Sequence, residues 1–263
     1  MRSSYTLSAL FLASLLILVT GSCSRKKVEN DLLRWPLHGK VESIEEKSFR
    51  AIDQSGIIVR GPRETPPDMR SDRVAFFDTR GNLTEIFYYD SDDRPAGRVV
   101  FLRSDDNRRV ERYEYGIDGR RVSLTLIRYN SEGRRLERTN YSSDTIPESR
   151  TFYRHDSRGN VIDLKWYSTY GTLLMHISSE FDKRGHKISE KEYDNDNVMV
   201  SRRVYTNDPN GNSTEMVEYN ADGAILTKRT YTYEYDSIGN WLKMVVFEEG
   251  IPKYIRERKI QYY

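Results

Sequence analysis

The chain has a single cysteine, Cys23, among 263 residues. No disulfide framework and no cysteine-based zinc site can form within it, and no G-x-S-x-G nucleophile motif occurs. Long hydrophobic runs are missing as well. The longest apolar stretch, Leu7 to Val19, is too short to cross a bilayer core of about 30 Å at about 1.5 Å per residue. Neither sign of charge dominates: 42 Lys and Arg face 40 Asp and Glu, interspersed along the chain. No basic face of the kind on which nucleic-acid binding depends is visible along the chain, and none is expected. Hydrophobic residues reach only 37%, below the roughly 45–50% usual for globular domains, so a thick two-sided core is not expected. The four histidines, His38, His155, His176 and His186, include no i, i+2 or i, i+4 ligand pair, and no metal or cofactor is expected.

What the chain has is tyrosine, 19 of them, set out on a repeat. Phe77, Tyr89, Phe101 and Tyr115 recur 52 positions later as Tyr129, Tyr141, Tyr153 and Tyr167, and again as Phe181, Tyr193, Tyr205 and Tyr219. A fixed internal period outranks other fold signals. Each anchor opens a turn such as Asp78-Thr79-Arg80-Gly81-Asn82, Asn130-Ser131-Glu132-Gly133 or Asp182-Lys183-Arg184-Gly185. The Asp or Asn side chain starts the turn and Gly supplies positive φ. Where Ser104 to Arg108 lacks a Gly, Asn107 takes the place, and Asn also tolerates positive φ. Pro95 and Pro147 lie in register and predict a wider loop there. The runs between turns are rich in Tyr, Val, Ile, Thr and Arg and many alternate, as in Thr230 to Tyr235. Short turns join antiparallel neighbours.

The expected fold is therefore all-β: an antiparallel meander forming one long twisted or curled sheet, up to a half-barrel, with a closed barrel as the alternative. Blocks 77–128, 129–180 and 181–232 are followed by a partial block, 233–263, within a β-repeat domain spanning 40–263. Successive anchors should form two aromatic rows, one along each edge of the sheet. Arg and Glu fall within almost every strand, against the apolar band that a membrane-spanning barrel needs.

Gly21-Ser22-Cys23, behind Arg2 and the apolar run, resembles the lipobox of bacterial lipoproteins, with Thr20 where that family usually has Leu, in the looser form common in Bacteroidota. The resemblance implies that residues 1–22 are a signal peptide, that Cys23 is the lipid-attachment residue, and that residues 23–39 are a tether. Acylation, including palmitate, would hold the protein at the bilayer. The absence of Asp after Cys23 implies the outer membrane, facing the periplasm or exposed at the surface. The unit Tyr/Phe-Asp-x-x-Gly-Asn/Arg, clearest at Phe77–Leu83, Tyr129–Leu136, Tyr153–Val161, Phe181–Ile188 and Tyr235–Trp241, resembles the YD repeat of the RHS family. That implies β-hairpins wound side by side.

Acid-rich turns such as Asp90 to Asp93 and Asp194 to Asn197 lack the spacing of a calcium loop. Glu45-Glu46 and Glu248-Glu249 would face opposite sides of a strand and make poor acid/base partners. The expectation is a membrane-anchored, non-enzymatic binding or scaffold module with a protein, glycan or envelope component as partner. A hydrolase of envelope polymers using Asp/Glu pairs, and an RHS-associated accessory or immunity protein, are the alternatives.

Overall fold

The computed structural model describes residues 30–64 and 72–263. The segment expected to be a signal peptide, Cys23 and the first part of the expected tether lie outside the described residues. After a four-residue helix, α1 (Asp31–Arg34), the rest is strand and turn. The strands are β1 (Val41–Gln54), β2 (Ile57–Arg63), β3 (Asp72–Phe77), β4 (Leu83–Tyr89), β5 (Pro95–Arg103), β6 (Arg109–Tyr115), β7 (Arg121–Tyr129), β8 (Arg135–Ser142) and β9 (Pro147–His155). They continue as β10 (Val161–Ser168), β11 (Leu173–Phe181), β12 (Lys187–Tyr193), β13 (Met199–Asn207), β14 (Ser213–Asn220), β15 (Ile225–Tyr235), β16 (Trp241–Glu248) and β17 (Ile251–Tyr262).

From β3 to β17 each strand pairs antiparallel with the next. The expected open or half-closed sheet is corrected at its two ends. β1 pairs with β17 from Val41↔Tyr262 to Arg50↔Tyr254, and its other edge takes β3 from Ser43↔Phe76 to Glu46↔Arg73. The meander thus closes into a 16-strand barrel. β2 pairs with the remainder of β1, Ala51↔Arg60 to Gln54↔Ile57, and occupies the same wall position as β3, further along. Closure satisfies both edges that an open sheet of this length would expose.

The fourteen turns from β3 to β17 share one feature, a positive-φ residue where the chain reverses. At one rim of the barrel the positive-φ residues are Gly81, Asn107, Gly133, Gly159, Gly185, Gly211 and Gly239. At the other they are Asp93, Gly119, Thr145, Gly171, Asn197, Gly223, and the pair Glu249 and Gly250 that ends β16. In the first turn Gly81 N–H donates to Asp78 O (2.8 Å), Asp78 N–H donates to Asn82 O (2.8 Å), and Asp78 Oδ1 accepts from the N–H groups of Arg80 and Asn82. This is a type I turn closed by a left-handed residue, which leaves a bulge beside it. The register shift between Phe76 and Phe77 is that bulge. The structural unit is thus one hairpin of 26 residues, two per sequence block. The turns before Pro95 and Pro147 are of the same kind, Asp90 N–H to Arg94 O and Ser142 N–H to Ile146 O. The wider loop predicted there does not form, because each proline opens its strand, where it displaces no required donor.

The inner face can be traced by register. Glu46 lies opposite Arg73, Arg73 opposite Tyr88, Ile86 opposite Val99 and Phe101 opposite Arg112. The same face continues through Val110↔Ile127, Ile127↔Arg138, Arg138↔Thr151 and Thr151↔Trp166. It passes Leu164↔Ile177, Ile177↔Glu192, Glu190↔Arg203 and Arg203↔Glu218. Met216↔Arg229, Tyr231↔Val246 and Met244↔Arg256 bring it back to Arg258↔Glu46. The segment around α1 shares a cavity with residues from β3 through β8 and from β17. A short segment can reach so wide an arc only from the concave side, so this face is the lumen and α1 lies inside it. Leu32 and Leu37 join the buried Val41, Ile44, Ala75, Phe77, Leu83, Ile86 and Val99, with Trp35 against them. Each such side chain contributes roughly 1.5–3 kcal/mol when fully buried. From Asn30 onward, the stretch read as a tether is docked.

The two aromatic rows exist, and they face opposite ways. Phe77, Phe101, Tyr129, Tyr153, Phe181 and Tyr205 lie on the lumen face towards the rim where α1 docks, the proximal rim. Tyr89, Tyr115, Tyr141, Tyr167, Tyr193 and Tyr219 lie on the outer face at the distal rim, all half-buried. The outer wall between carries cross-strand ion pairs: Arg98 with Glu85, Glu137 with Arg128 and Arg150, Lys228 with Glu215 (2.9 Å), and Lys243 with Glu234 (2.8 Å).

Candidate functional site

A barrel of 16 strands leaves a lumen too wide for side chains alone to fill. Here the proximal end is partly filled by α1 and the Trp35-Pro36-Leu37 stretch that follows. Between this plug and the wall lies a cavity of about 550 Å³ lined by Asp31, Arg34, Trp35, Pro36, Arg73, Leu83, Phe101, Arg103, Val110, Ile127, Tyr129, Arg135, Arg256 and Arg258. A neighbouring cavity of about 460 Å³ also has Arg34 and Arg135 in its wall, with His155, Arg158, Asn160, Val161 and Phe181. Both are of the size that small ligands occupy.

Three of the arginines share one carboxylate. Glu46, 1% exposed, accepts from Arg73 and from Arg258 Nε (2.8 Å), and Arg256 lies 3.4 Å away. Burial alone would raise its pKa. The fields of Arg258, Arg73 and Arg256 outweigh burial and bring it down to about 2. Burial in turn pushes Arg258 down to about 10 despite Glu46. The flat guanidinium groups rest on the plug and on its neighbours: Arg73 is 4.2 Å from the Trp35 ring centroid and Arg258 3.4 Å from that of Trp241.

The second group is centred on the plug. Asp31 pairs with Arg34 Nη1 (2.9 Å) and with Arg103, and its Oδ2 accepts from Leu83 N–H (2.9 Å). Arg34 also donates to the Tyr129 hydroxyl (3.2 Å) and to Gly133 O (3.0 Å). Arg135 differs from both. Its guanidinium sits 5.3 Å from the Tyr153 ring centroid, among the hydroxyls of Tyr129 and Tyr153, and it makes no salt bridge among the described residues. Its Nε is buried without a hydrogen-bond partner. Beside it, burial and then the charges of Arg134, Arg34 and Arg135 hold His155 below the usual histidine range.

The far wall has the opposite character. Glu190, Glu192 and Glu218 surround Arg203 at 3.3, 4.0 and 2.7 Å, and Lys187 also reaches Glu190. These carboxylates are held by cations rather than directed at open space. Glu45, next to Glu46, turns outward to Lys47 (3.1 Å) and Lys259 (3.3 Å), as the alternation of a strand requires. Asp90 and Asp194 cap their own turns, and no group of three or more potential metal ligands occurs among the described residues. His38 is held by Asn240, His176 lies between Asp163 and Asn197 (2.8 Å each), and His186 sits beside Asp182. Cys23 lies outside the described residues.

The sequence reading passed over these arginines because charged residues alternate on both faces of every strand. Their spacing did carry a signal. Arg103 follows Val99 and Phe101 by steps of two, and Arg256 and Arg258 precede Ile260 in the same way. Each shares a face with apolar neighbours that must be buried.

No protein-family model matches the chain, and no curated protein matches it by sequence. Among solved structures, a porin-like protein from Bacteroides uniformis superposes with a TM-score of 0.55 at 10% identity, over 84% of this chain and 98% of that one. A porin-like protein from Bacteroides vulgatus gives 0.45 at 8% identity, over 82% and 99%. A putative outer membrane lipoprotein-sorting protein domain from Vibrio parahaemolyticus gives 0.28 at 10% identity, over 87% and 88%. At these identities the first likeness concerns the fold.

Proposed function

We propose that the chain is a non-enzymatic binding module of the bacterial cell envelope that takes its ligand into the proximal mouth of the barrel. The observation that carries this is the pair of cavities between plug and wall, walled by residues of both and built around buried charges. The setting is supported by the lipobox resemblance at Cys23 and by a shared fold with a porin-like Bacteroides protein. Acylated Cys23 would tether the barrel a few residues upstream of the plug, so its proximal mouth would lie close to the bilayer, at the outer membrane. The cross-strand ion pairs of the outer wall favour a barrel held beside the membrane over one that spans it. The recurring Asp/Asn-led turn supports a YD-like hairpin as the unit of construction.

Native mass spectrometry of the full-length protein purified from envelopes tests this. A co-purifying envelope molecule is expected, and it should be lost when Ile127→Trp fills the larger cavity. An empty barrel, or a ligand retained unchanged by Ile127→Trp, would overturn the reading. Incorporation of labelled palmitate, abolished by Cys23→Ala, tests the anchor.

A further inference from the structure

Resting on the proposal that the proximal mouth is a ligand site, we propose that its ligand is a polyanion, a small molecule or short glycan carrying two or more phosphate or carboxylate groups, gripped by Arg34 and Arg135.

The charge balance of the two cavities points this way. Together their walls hold seven arginines, with Asp31 as the acidic side chain among them. Glu46 stands behind one group of these arginines and Asp31 beside the other. Arg135 belongs to neither, and it lies in the wall of both cavities. A half-buried cation whose Nε is fully buried, with no counter-charge among the described residues, is costly, and an anion at this place would supply the partner. The site is already shaped for it. The stacking of Arg34 on Tyr129 (4.8 Å) and of Arg135 on Tyr153 fixes both guanidinium planes, and a fixed planar fork binds carboxylate or phosphate oxygens in pairs. Because Arg34 and Arg135 are common to two adjacent cavities, one charged group can sit on each side of them. That favours a molecule with several charges over a single small ion. Arg158, which donates to Asp182 O and Lys183 O, adds positive charge at the entrance to the second cavity.

The test uses full-length protein and three probes: inorganic tripolyphosphate, trigalacturonate, and uncharged maltotriose. Calorimetry is expected to show binding of one or both anions and none of maltotriose, with affinity falling as salt rises. Tripolyphosphate alone would assign a phosphate-bearing ligand, and trigalacturonate alone a uronate. Arg135→Gln and, separately, Arg34→Gln should each weaken the bound anion tenfold or more. Asp31→Asn, which removes a competing carboxylate, should strengthen it severalfold. Lys243→Gln on the outer wall should leave it unchanged. Should Arg135→Gln fail to fold, Arg34→Gln on the plug decides alone. Equal binding of maltotriose, or anion binding that neither arginine variant weakens, overturns the proposal. A neutral molecule co-purifying in the native spectrum while both anions fail would sink the polyanion and leave the binding module standing. An empty barrel that also ignores the anions would sink both.

Discussion

A methyl group added to Gly81, at the proximal rim, would stand 2.5 Å from Asn30 Nδ2 and 2.7 Å from Leu32 Cδ1. The same methyl at Gly119, Gly171 or Gly223, at the distal rim, would meet nothing within 4 Å. The backbone conformation is alike in all four, with φ between 75° and 83°. One turn is thus used in two ways. Proximal turns lean on one another and on the plug. Arg134 donates to Asp156 O (3.1 Å) and Ser157 O (2.9 Å), two turn residues one hairpin on, and Arg158 does the same towards Asp182 and Lys183. Asn240 closes the circuit: it accepts from His38 N–H (2.8 Å), donates to His38 O (2.9 Å) and meets the Tyr262 hydroxyl (2.8 Å). Distal turns have ties of their own, Arg121 to Ser143 O, Thr169 to Glu148 O, His176 to Asn197 and Lys47 and Arg63 to Asp93, but they meet no plug, and they carry exposed apolar side chains, including Ile57, Ile117, Ile146, Tyr170, Ile225 and Ile251. The rim that is also tied to the plug is the one that frames the arginine-lined mouth, which argues that those added contacts hold that mouth in shape.

The strongest way to break the contrast is to disturb the buried charge cluster of the wall on which Trp35 of the plug rests. Glu46→Gln would leave Arg73, Arg256 and Arg258 facing one another without their shared counter-charge. Breaking a buried ion pair in this way costs about 3–5 kcal/mol, readable as a lowered urea midpoint. Amide exchange should rise at the proximal turns well before the distal ones. Acid should act in the same direction. With its folded-state pKa at about 2 against an ordinary 4.5, Glu46 contributes its full stabilisation above about pH 4.5 and loses it as pH falls towards about 2. Proximal protection that persists in Glu46→Gln would show that the plug is held by its apolar packing and by the contacts of Asp31 and Arg34, without the Glu46 cluster.

The glycines sharpen the contrast directly. Gly119→Ala should cost about 1–2 kcal/mol, the price of a left-handed conformation for a residue with a Cβ. Gly81→Ala carries the same backbone term and must also push Asn30 and Leu32 aside, so it should cost measurably more. Thermal unfolding of the two variants side by side decides it. Equal losses would mean that the plug yields without resistance.

Much of this arrangement could be read from the sequence, for a local reason. Asp78, Gly81 and Asn82 specify their turn within five residues, and the same chemistry repeats at Asn130, Asp156, Asp182 and Asp208, so strand number, direction and the two aromatic rows followed nearly by counting. Closure could not be read in this way. The pairing of Val41 with Tyr262 joins the two ends of the repeat region, and neither strand bears a mark of its partner. The plug was hidden for a related reason. Asp31-Leu32-Leu33-Arg34 is too short for helical periodicity to register, and its docking depends on a concave surface that exists only after closure. The arginines of the mouth were visible as residues but not as a group, since β3, β5, β8 and β17 contribute them from far-apart positions.

The smallest expected effect separates the two aromatic rims at their hydroxyls. Tyr262 donates to Asp236 Oδ2 and receives Asn240 Nδ2–H, and one hairpin earlier Tyr235 does the same with Asp208 and Asn212. Burial and the Asp208 carboxylate push the Tyr235 hydroxyl up to about 12. At the distal rim the Tyr141 hydroxyl makes no hydrogen bond among the described residues, and its ring covers the outer wall opposite Leu124. Tyr262→Phe should therefore cost about 1.5 kcal/mol, the low end for a hydrogen bond to a charged group, because the pair is partly exposed. Tyr141→Phe should change stability by less than about 0.5 kcal/mol. Chemical denaturation at neutral pH measures both. If the two substitutions prove equal, the proximal hydroxyls are exchanging with water and the bracing of that rim rests on Asn240 and the backbone contacts between turns.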